Sequence, residues 1–278
     1  MVIKSYSKIN LTLKVNSKFR NGLHEIQTLY SWINLTDKID IIGTKKNKDR
    51  IIFKGPFAKL VKNRNNTVYK LLKKLRELKL ISNYYFIVIT KNIPVFSGLG
   101  GGTGNAAFIL KHLLKSKINN VLLSKLEKEI GSDLKLFFTR QGYLKNLSSV
   151  VEIRKKHNFC FVLIQPKIKC STKKIYSRVK NFSAKENFNN KMIKSKKILL
   201  DYLMKSRNDL QLIVERKHPS IKRLLIDINN EKGCYFSRMT GSGSVCYGLF
   251  IDQFFAKKAL YKLKNKYPKF WFSLAKTV

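Results

Sequence analysis

Residues 94–107 read Pro-Val-Phe-Ser-Gly-Leu-Gly-Gly-Gly-Thr-Gly-Asn-Ala-Ala, and the order around them decides the fold. The chain has 14 glycines, and five of them fall here, at 98, 100, 101, 102 and 104. Glycine accepts positive φ and lets backbone approach a ligand closely. Before this run, residues 84–90 (Tyr-Tyr-Phe-Ile-Val-Ile-Thr) have the aromatic and β-branched content of a buried strand. After it, Ala106, Ala107, Leu110, Leu113 and Leu114 share one face of a helix expected over about 103–116. A glycine loop that leaves a strand and opens a helix presents backbone N–H groups at the positive end of the helix dipole, which makes an anion site. Triphosphate is the obvious anion. No Lys follows the last glycine, so this is not the G-x-x-x-x-G-K-[ST] loop. A plain strand-to-helix turn seldom needs five glycines.

Working outward, residues 9–15 alternate with period two and predict a half-buried strand, and 26–42 predict one or two more. Val68, Leu71, Leu72, Leu75 and Leu78 predict an amphipathic helix over 67–79. Ser124 and Glu127 have capping-box spacing, which predicts a helix starting there and stopping near Gly131. In the second half, 159–164 reads as a strand ending at Pro166. Ser171 or Thr172 is placed to cap a helix through about 180. Helices follow near 194–205, 208–217 and 220–230. Strands near 234–239 and 245–250 flank Thr240-Gly-Ser-Gly-Ser244, and a helix at 253–266 and a strand at 270–275 finish the chain. This order predicts an α+β protein of two domains, 1–154 and 155–278.

Composition excludes other classes. Hydrophobic residues make up 44% of the 278, which is globular rather than disordered. The net charge of +41 first suggests a nucleic-acid or membrane-surface partner. The lysines, however, are spread over the polar faces of predicted helices, alongside many Asn, Ile, Tyr and Phe. That reads as compositional drift more than as a binding stripe. No RNA-recognition signature accompanies them. Cys160, Cys170, Cys234 and Cys246 show no C-x-x-C spacing and read as core residues of a reducing compartment. No apolar run approaches the roughly 18 residues of a membrane span. The expectation is a cytoplasmic protein with no membrane and no specific nucleic-acid partner.

The run Pro94–Ala107 resembles the phosphate-binding motif of the GHMP kinase superfamily. Ser7-Lys8-Ile9-Asn10-Leu11, Arg20-Asn-Gly-Leu-His24-Glu25-Ile-Gln-Thr28 and Gly131-Ser-Asp133-Leu-Lys-Leu-Phe-Phe138 resemble its other segments, in the right order. Ser171-Thr172, Asn208-Asp209-Leu210 and Met239-Thr-Gly-Ser-Gly-Ser244 also match, so the likeness spans nearly the whole chain. The resemblance implies an N-terminal domain of ribosomal protein S5 domain 2-like fold and a ferredoxin-like C-terminal domain. It implies ATP and Mg2+, with phosphate held by Pro94, Gly98, Leu99, Gly100, Gly101, Gly102, Thr103, Gly104 and Asn105. The doubled glycine and the Asn105-Ala106-Ala107 ending most resemble members that phosphorylate the 2-hydroxyl of a cytidine diphosphate-linked methylerythritol, on the non-mevalonate route to isoprenoid precursors. Another small-molecule kinase of the superfamily is the alternative.

Within that resemblance, Asp133 would accept the hydroxyl proton, and Lys8 would keep it ionised and steady the transferring charge. Asn10, His24, Thr172, Gly241 and Ser242 would contact the small-molecule substrate. Tyr176, four residues past Thr172, fits both a base-stacking aromatic and a core aromatic. The chain departs from the family pattern where Leu23 replaces Tyr, Thr103-Gly104 replaces Ser-Ser, Lys135 replaces Pro and Gln211 replaces Glu. The metal ligands are not legible, and monomer and homodimer are both compatible with the sequence.

Overall fold

The computed structural model describes residues 2–61, 65–147, 149–154 and 156–278. The chain forms two compact units. One comprises Met1–Lys8, Leu35–Val95 and Gly100–Thr139; the other comprises Ile9–Asn34, Phe96–Leu99 and Arg140–Val278. The strands β1 (Val2–Asn10) and β3 (His24–Thr44) therefore contribute one end to each unit, and the glycine-rich run changes unit between Leu99 and Gly100.

In the first unit, β5 (Tyr84–Thr90) pairs antiparallel with Lys38–Thr44 of β3, and β4 (Arg50–Lys54) pairs parallel with β5. Helix α1 (Thr67–Glu77) starts at Asn66, whose side chain accepts from the N–H groups of Val68 and Tyr69. Val68, Leu71, Leu72 and Leu75 are buried on its inner face, as their spacing predicts. Burying each such side chain contributes about 1.5–3 kcal/mol. Helices α2 (Gly101–Leu114) and α3 (Asn120–Ile130) pack on α1.

The start of α3 corrects the expectation of a capping box. Asn119 is the cap, its side chain accepting from the Leu122 N–H, and Ser124 and Glu127 lie inside the helix. Those two hold Lys135 instead. The Lys135 ammonium is 2.9 Å from the Glu127 carboxylate and donates to the Ser124 hydroxyl at 3.2 Å. The helix ends where expected, at Gly131 with φ +130°.

In the second unit, β2 (Lys14–Lys18) and β6 (Gln141–Asn146) pair antiparallel with the first half of β3, and β7 (Ser149–Glu152) extends β6. The single strand expected over 9–15 is broken into β1 and β2. At the break the N–H groups of Leu11 and Thr12 both turn to the Leu29 carbonyl, and Leu13 bridges Asn208. A second sheet is built from β8 (Cys160–Gln165), β9 (Cys234–Met239), β10 (Cys246–Phe250) and β11 (Trp271–Lys276) in the order β11-β8-β10-β9, antiparallel throughout. Between β8 and β9 run α4 (Thr172–Tyr176), α5 (Lys196–Lys205), α6 (Gln211–Lys217) and α7 (Pro219–Asn229), and α8 (Gln253–Lys266) precedes β11. Helix α4 stops at Tyr176, short of the expected 180, and Ser171 makes no side-chain cap. Helices α7 and α8 cover the sheet. The fourth-first-third-second strand order with two covering helices is the ferredoxin-like arrangement the resemblance implied. All four cysteines are free. Among the described residues, no helix is long and apolar enough to cross a membrane.

Candidate active site

In the first unit, β1 delivers Lys8 and the turn after α3 delivers Asp133. The Lys8 ammonium lies 3.0 Å from the Asp133 carboxylate. Lys8 is 3% exposed and Asp133 32%, so the amine is sheltered and the carboxylate faces solvent. Buried charges persist when paired, and here the pair leaves the acid accessible.

The part of the glycine run from Gly100 onward adjoins this pair. Gly100 adopts φ +70° ahead of α2, and no side chain caps that helix. A Cβ on Gly100 would meet the Lys8 Cε at 3.1 Å and the Phe137 ring at 2.9 Å. Only glycine lets the N-terminus of α2 come this close to the lysine. A Cβ on Gly104 would meet Phe137 at 2.9 Å and the Tyr6 carbonyl at 3.1 Å, so a side chain there would have to push these neighbours aside. Gly102 is open apart from Thr67, whose hydroxyl donates to the Gly102 carbonyl at 2.7 Å. The Thr103 hydroxyl would lie 3.5 Å from a Cβ on Gly131. Asn105 is 2% exposed, and its side-chain oxygen has no hydrogen-bond partner among the described residues. Pro94 is buried just before the run.

Sequence reasoning missed a second ion pair beneath the same loop. Asp37, fully buried, accepts from the Lys91 ammonium and from the N–H groups of Asn92 (2.7 Å) and Ile93 (2.8 Å). Burial pushes the Lys91 amine below the usual lysine range, and the Asp37 carboxylate opposes that shift. A Cβ on Gly101 would meet Ile93 at 2.9 Å and the Lys91 nitrogen at 3.3 Å, so this pair forms the floor under the start of α2.

The second unit gathers the other predicted residues in two groups. In the first, Gly98 (φ +75°) lies so close to the Thr240 carbonyl that a Cβ would sit 2.1 Å from its oxygen. The Ser244 and Val245 N–H groups donate to the Phe96 and Ser97 carbonyls. Asn10 donates its N–H to the Thr240 hydroxyl and its amide to the Thr28 hydroxyl, both at 2.9 Å. A Cβ on Gly241 would be 3.1 Å from the Asn10 amide oxygen. The Thr172 and Ser242 hydroxyls are hydrogen-bonded at 2.9 Å. Leu99 is fully buried.

In the second group, the His24 ring lies 5.1 Å from that of Tyr176 and 6.4 Å from that of Phe182. His24 is 8% exposed and its Nε2 has no partner among the described residues. Desolvation, reinforced by Lys18, holds its pKa below the usual histidine value. Leu23 is half exposed beside it. Phe182 belongs to a segment without helix or strand, so no periodicity marked it in the sequence.

Known proteins agree with this architecture. The family described as GHMP kinases N terminal domain matches residues 66–134, and GHMP kinases C terminal matches 184–269. A relative from Pelagibacter ubique (strain HTCC1062), named 4-diphosphocytidyl-2-C-methyl-D-erythritol kinase, is 38% identical over 99% of this chain and 98% of its own. The chain belongs to the GHMP kinase family. A relative of the same name from Wolbachia pipientis wMel is 30% identical over 97% of this chain and 96% of its own. Among solved structures, a 4-(cytidine 5'-diphospho)-2C-methyl-D-erythritol kinase aligns over 99% of both chains with a TM-score of 0.74 at 23% identity. Homoserine kinase from Cytophaga hutchinsonii aligns over 100% of this chain and 94% of its own, with a TM-score of 0.68 at 16% identity. These two likenesses establish the GHMP kinase fold, its two domains corresponding to the two matched family segments.

Proposed function

We propose that this GHMP kinase transfers the γ-phosphoryl group of ATP to the 2-hydroxyl of 4-diphosphocytidyl-2-C-methyl-D-erythritol, a step toward isoprenoid precursors. The Lys8–Asp133 pair against Gly100 carries the reading, since it sets a carboxylate base and a cation beside an uncapped helix N-terminus. The full-length kinship with relatives of that name supports the substrate. Domains of 1–154 and 155–278 hold one matched family segment each, although Ile9–Asn34, Phe96–Leu99 and the stretch from Arg140 belong to the compact unit that holds the C-terminal segment.

Phosphoryl transfer is mostly positioning and charge stabilisation. Backbone N–H groups of residues 100–105 hold the phosphates, aided by the dipole of α2. Asp133 takes the proton as the hydroxyl attacks. Lys8, 3.0 Å from that carboxylate, steadies charge on the transferring group. Pro94, Gly98, Leu99 and Asn105 shape the phosphate loop. Asn10, Thr172, Gly241 and Ser242 meet the acceptor, and His24 and Tyr176 meet the base. Magnesium bound with ATP would supply charge neutralisation on the phosphates. The Thr103 hydroxyl and the exposed carboxylate of Asp133 are the protein oxygens that would be at hand to hold it.

The test is an assay of the purified chain with ATP, magnesium and that substrate. The expected result is ADP release matched to substrate consumed. Release only with homoserine or mevalonate would move the chain to another branch of the family. Affinity for nucleic acid that falls steeply with salt, without ATP turnover, would remove it from catalysis altogether.

His24 adds a pH prediction. Its pKa is shifted down from 6.5, so the imidazole is already neutral at pH values where an ordinary histidine is half charged. The KM for the cytidine-linked substrate should stay level from about pH 7 to about pH 9 and rise only on acidification below the usual histidine range. A KM that changes across neutral pH would contradict a neutral His24.

A further inference from the structure

Asn208-Asp209-Leu210 matches the family in sequence, yet none of its residues has a part in the reaction described above. Asp209 lies in the second unit, with its side chain 9% exposed. One carboxylate oxygen accepts from the Val15 N–H at 2.8 Å and from the Ser183 hydroxyl at 2.7 Å, and the other is 3.0 Å from the Arg207 guanidinium. Ser183 is the residue after Phe182. The segment that carries them, between α4 and residue 190, has neither helix nor strand, so no repeating hydrogen-bond ladder holds it.

Discrete bonds hold it instead. The Ser183 N–H donates to the Val15 carbonyl at 2.8 Å, and the Asn16 amide donates to the Ser183 carbonyl at 3.0 Å. Three residues on, Gln27 closes two bonds with the Glu186 backbone, at 2.7 and 3.0 Å. The strap 183–186 is thereby laid along β2 and β3, and Phe182 leads it toward His24. Phe182 itself is 45% exposed, so its own burial does little to fix the ring. The neighbouring Ser183 fixes it, its hydroxyl donating to the Asp209 carboxylate at 2.7 Å and accepting from the Arg207 guanidinium at 3.3 Å, so that Asp209 is the ionised acceptor of this set of bonds and also holds Arg207. Hydrogen bonds to a carboxylate are roughly twice as strong as neutral ones. Neighbouring Asn208 donates both amide hydrogens, to the Met239 and Gly241 carbonyls at 2.7 and 2.8 Å, so the dipeptide also steadies the second glycine turn.

We propose that Asp209 is a positioning residue for substrate selection: it clamps the strap 183–186 so that Phe182 is held as an aromatic wall beside the His24 imidazole, whose Nε2 has no hydrogen-bond partner among the described residues, a setting that suits a flat nucleobase. This rests on the substrate class named under Proposed function. The wall would supply the aromatic surface that Leu23 does not.

The test compares the full chain with Asp209→Asn, which keeps the shape and removes the charge and one acceptor. The KM for the cytidine-linked substrate should rise about tenfold. The kcat and the KM for ATP should stay within about twofold, which a general loss of structure would not produce. Hydrogen exchange at Val15 and at 183–186 should quicken. Parallel changes in kcat and both KM values, or quickened exchange with an unchanged substrate KM, would overturn the proposal. Should Asp209→Asn fail to fold, Ser183→Ala removes a single hydroxyl and should raise the same KM about threefold; an unchanged KM there counts equally against it. If the wild-type chain turns over none of this substrate, the proposed reaction fails by itself. Calorimetric binding of cytidine diphosphate then decides the clamp: weaker binding by Asp209→Asn supports it, and equal binding, or none by the wild type, overturns it.

Discussion

Asp133→Asn should lower kcat by about 10²–10⁴-fold, the range lost when a positioned general base is removed, while ATP binding stays within a few-fold. The amide has the shape of the carboxylate but cannot accept a proton from the attacking hydroxyl. It also gives the Lys8 ammonium a neutral neighbour where a carboxylate stood at 3.0 Å. Asp133 is about one-third exposed, but the exchange takes the carboxylate from the buried Lys8 ammonium, so some loss of stability should accompany the loss of turnover, and unfolding curves would separate the two. Single-turnover kinetics would read the chemical step and calorimetry the nucleotide. Undiminished turnover would remove Asp133 from the mechanism.

The second large effect is on stability. Asp37→Ala should cost about 3–5 kcal/mol, the range for breaking a buried ion pair by removing one partner. The Lys91 ammonium would lose its carboxylate in a nearly water-free setting, and the N–H groups of Asn92 and Ile93 would lose their acceptor. Ile93 and Lys91 lie under Gly101, so the start of α2 should loosen with them and the KM for ATP should rise. Asp37→Asn should be milder, since an amide oxygen can still accept from the two backbone donors. Urea unfolding followed by circular dichroism would rank the two variants, and equal stability of Asp37→Ala and wild type would rule out the floor described here.

What could be read early and what could not follows from the range of the interactions. The glycine run was legible because positive φ and close approach are demands on single residues, and Gly98, Gly100 and Gly241 meet them. The inner face of α1 was legible because a helix repeats every 3.6 residues. The capping reading of Ser124 and Glu127 failed for a related reason. The spacing of a capping box is also the spacing of two residues on one helix face, and here that face holds Lys135. Only a partner outside the helix separates the two meanings.

The sequence by itself determined the family, the strand–glycine–helix anion site, and Lys8, His24 and Asp133 as residues of interest, because motif order and local backbone demands are written in consecutive residues. The tertiary structure decided which of them meet. It set Lys8 beside Asp133 and Gly100, put the Asp37–Lys91 pair under the loop across 54 residues of chain, and brought Phe182 and Asp209 into the surroundings of His24. Those pairings depend on β-sheet register and on burial of charge far apart in the chain. Neither leaves a periodic trace in a single sequence.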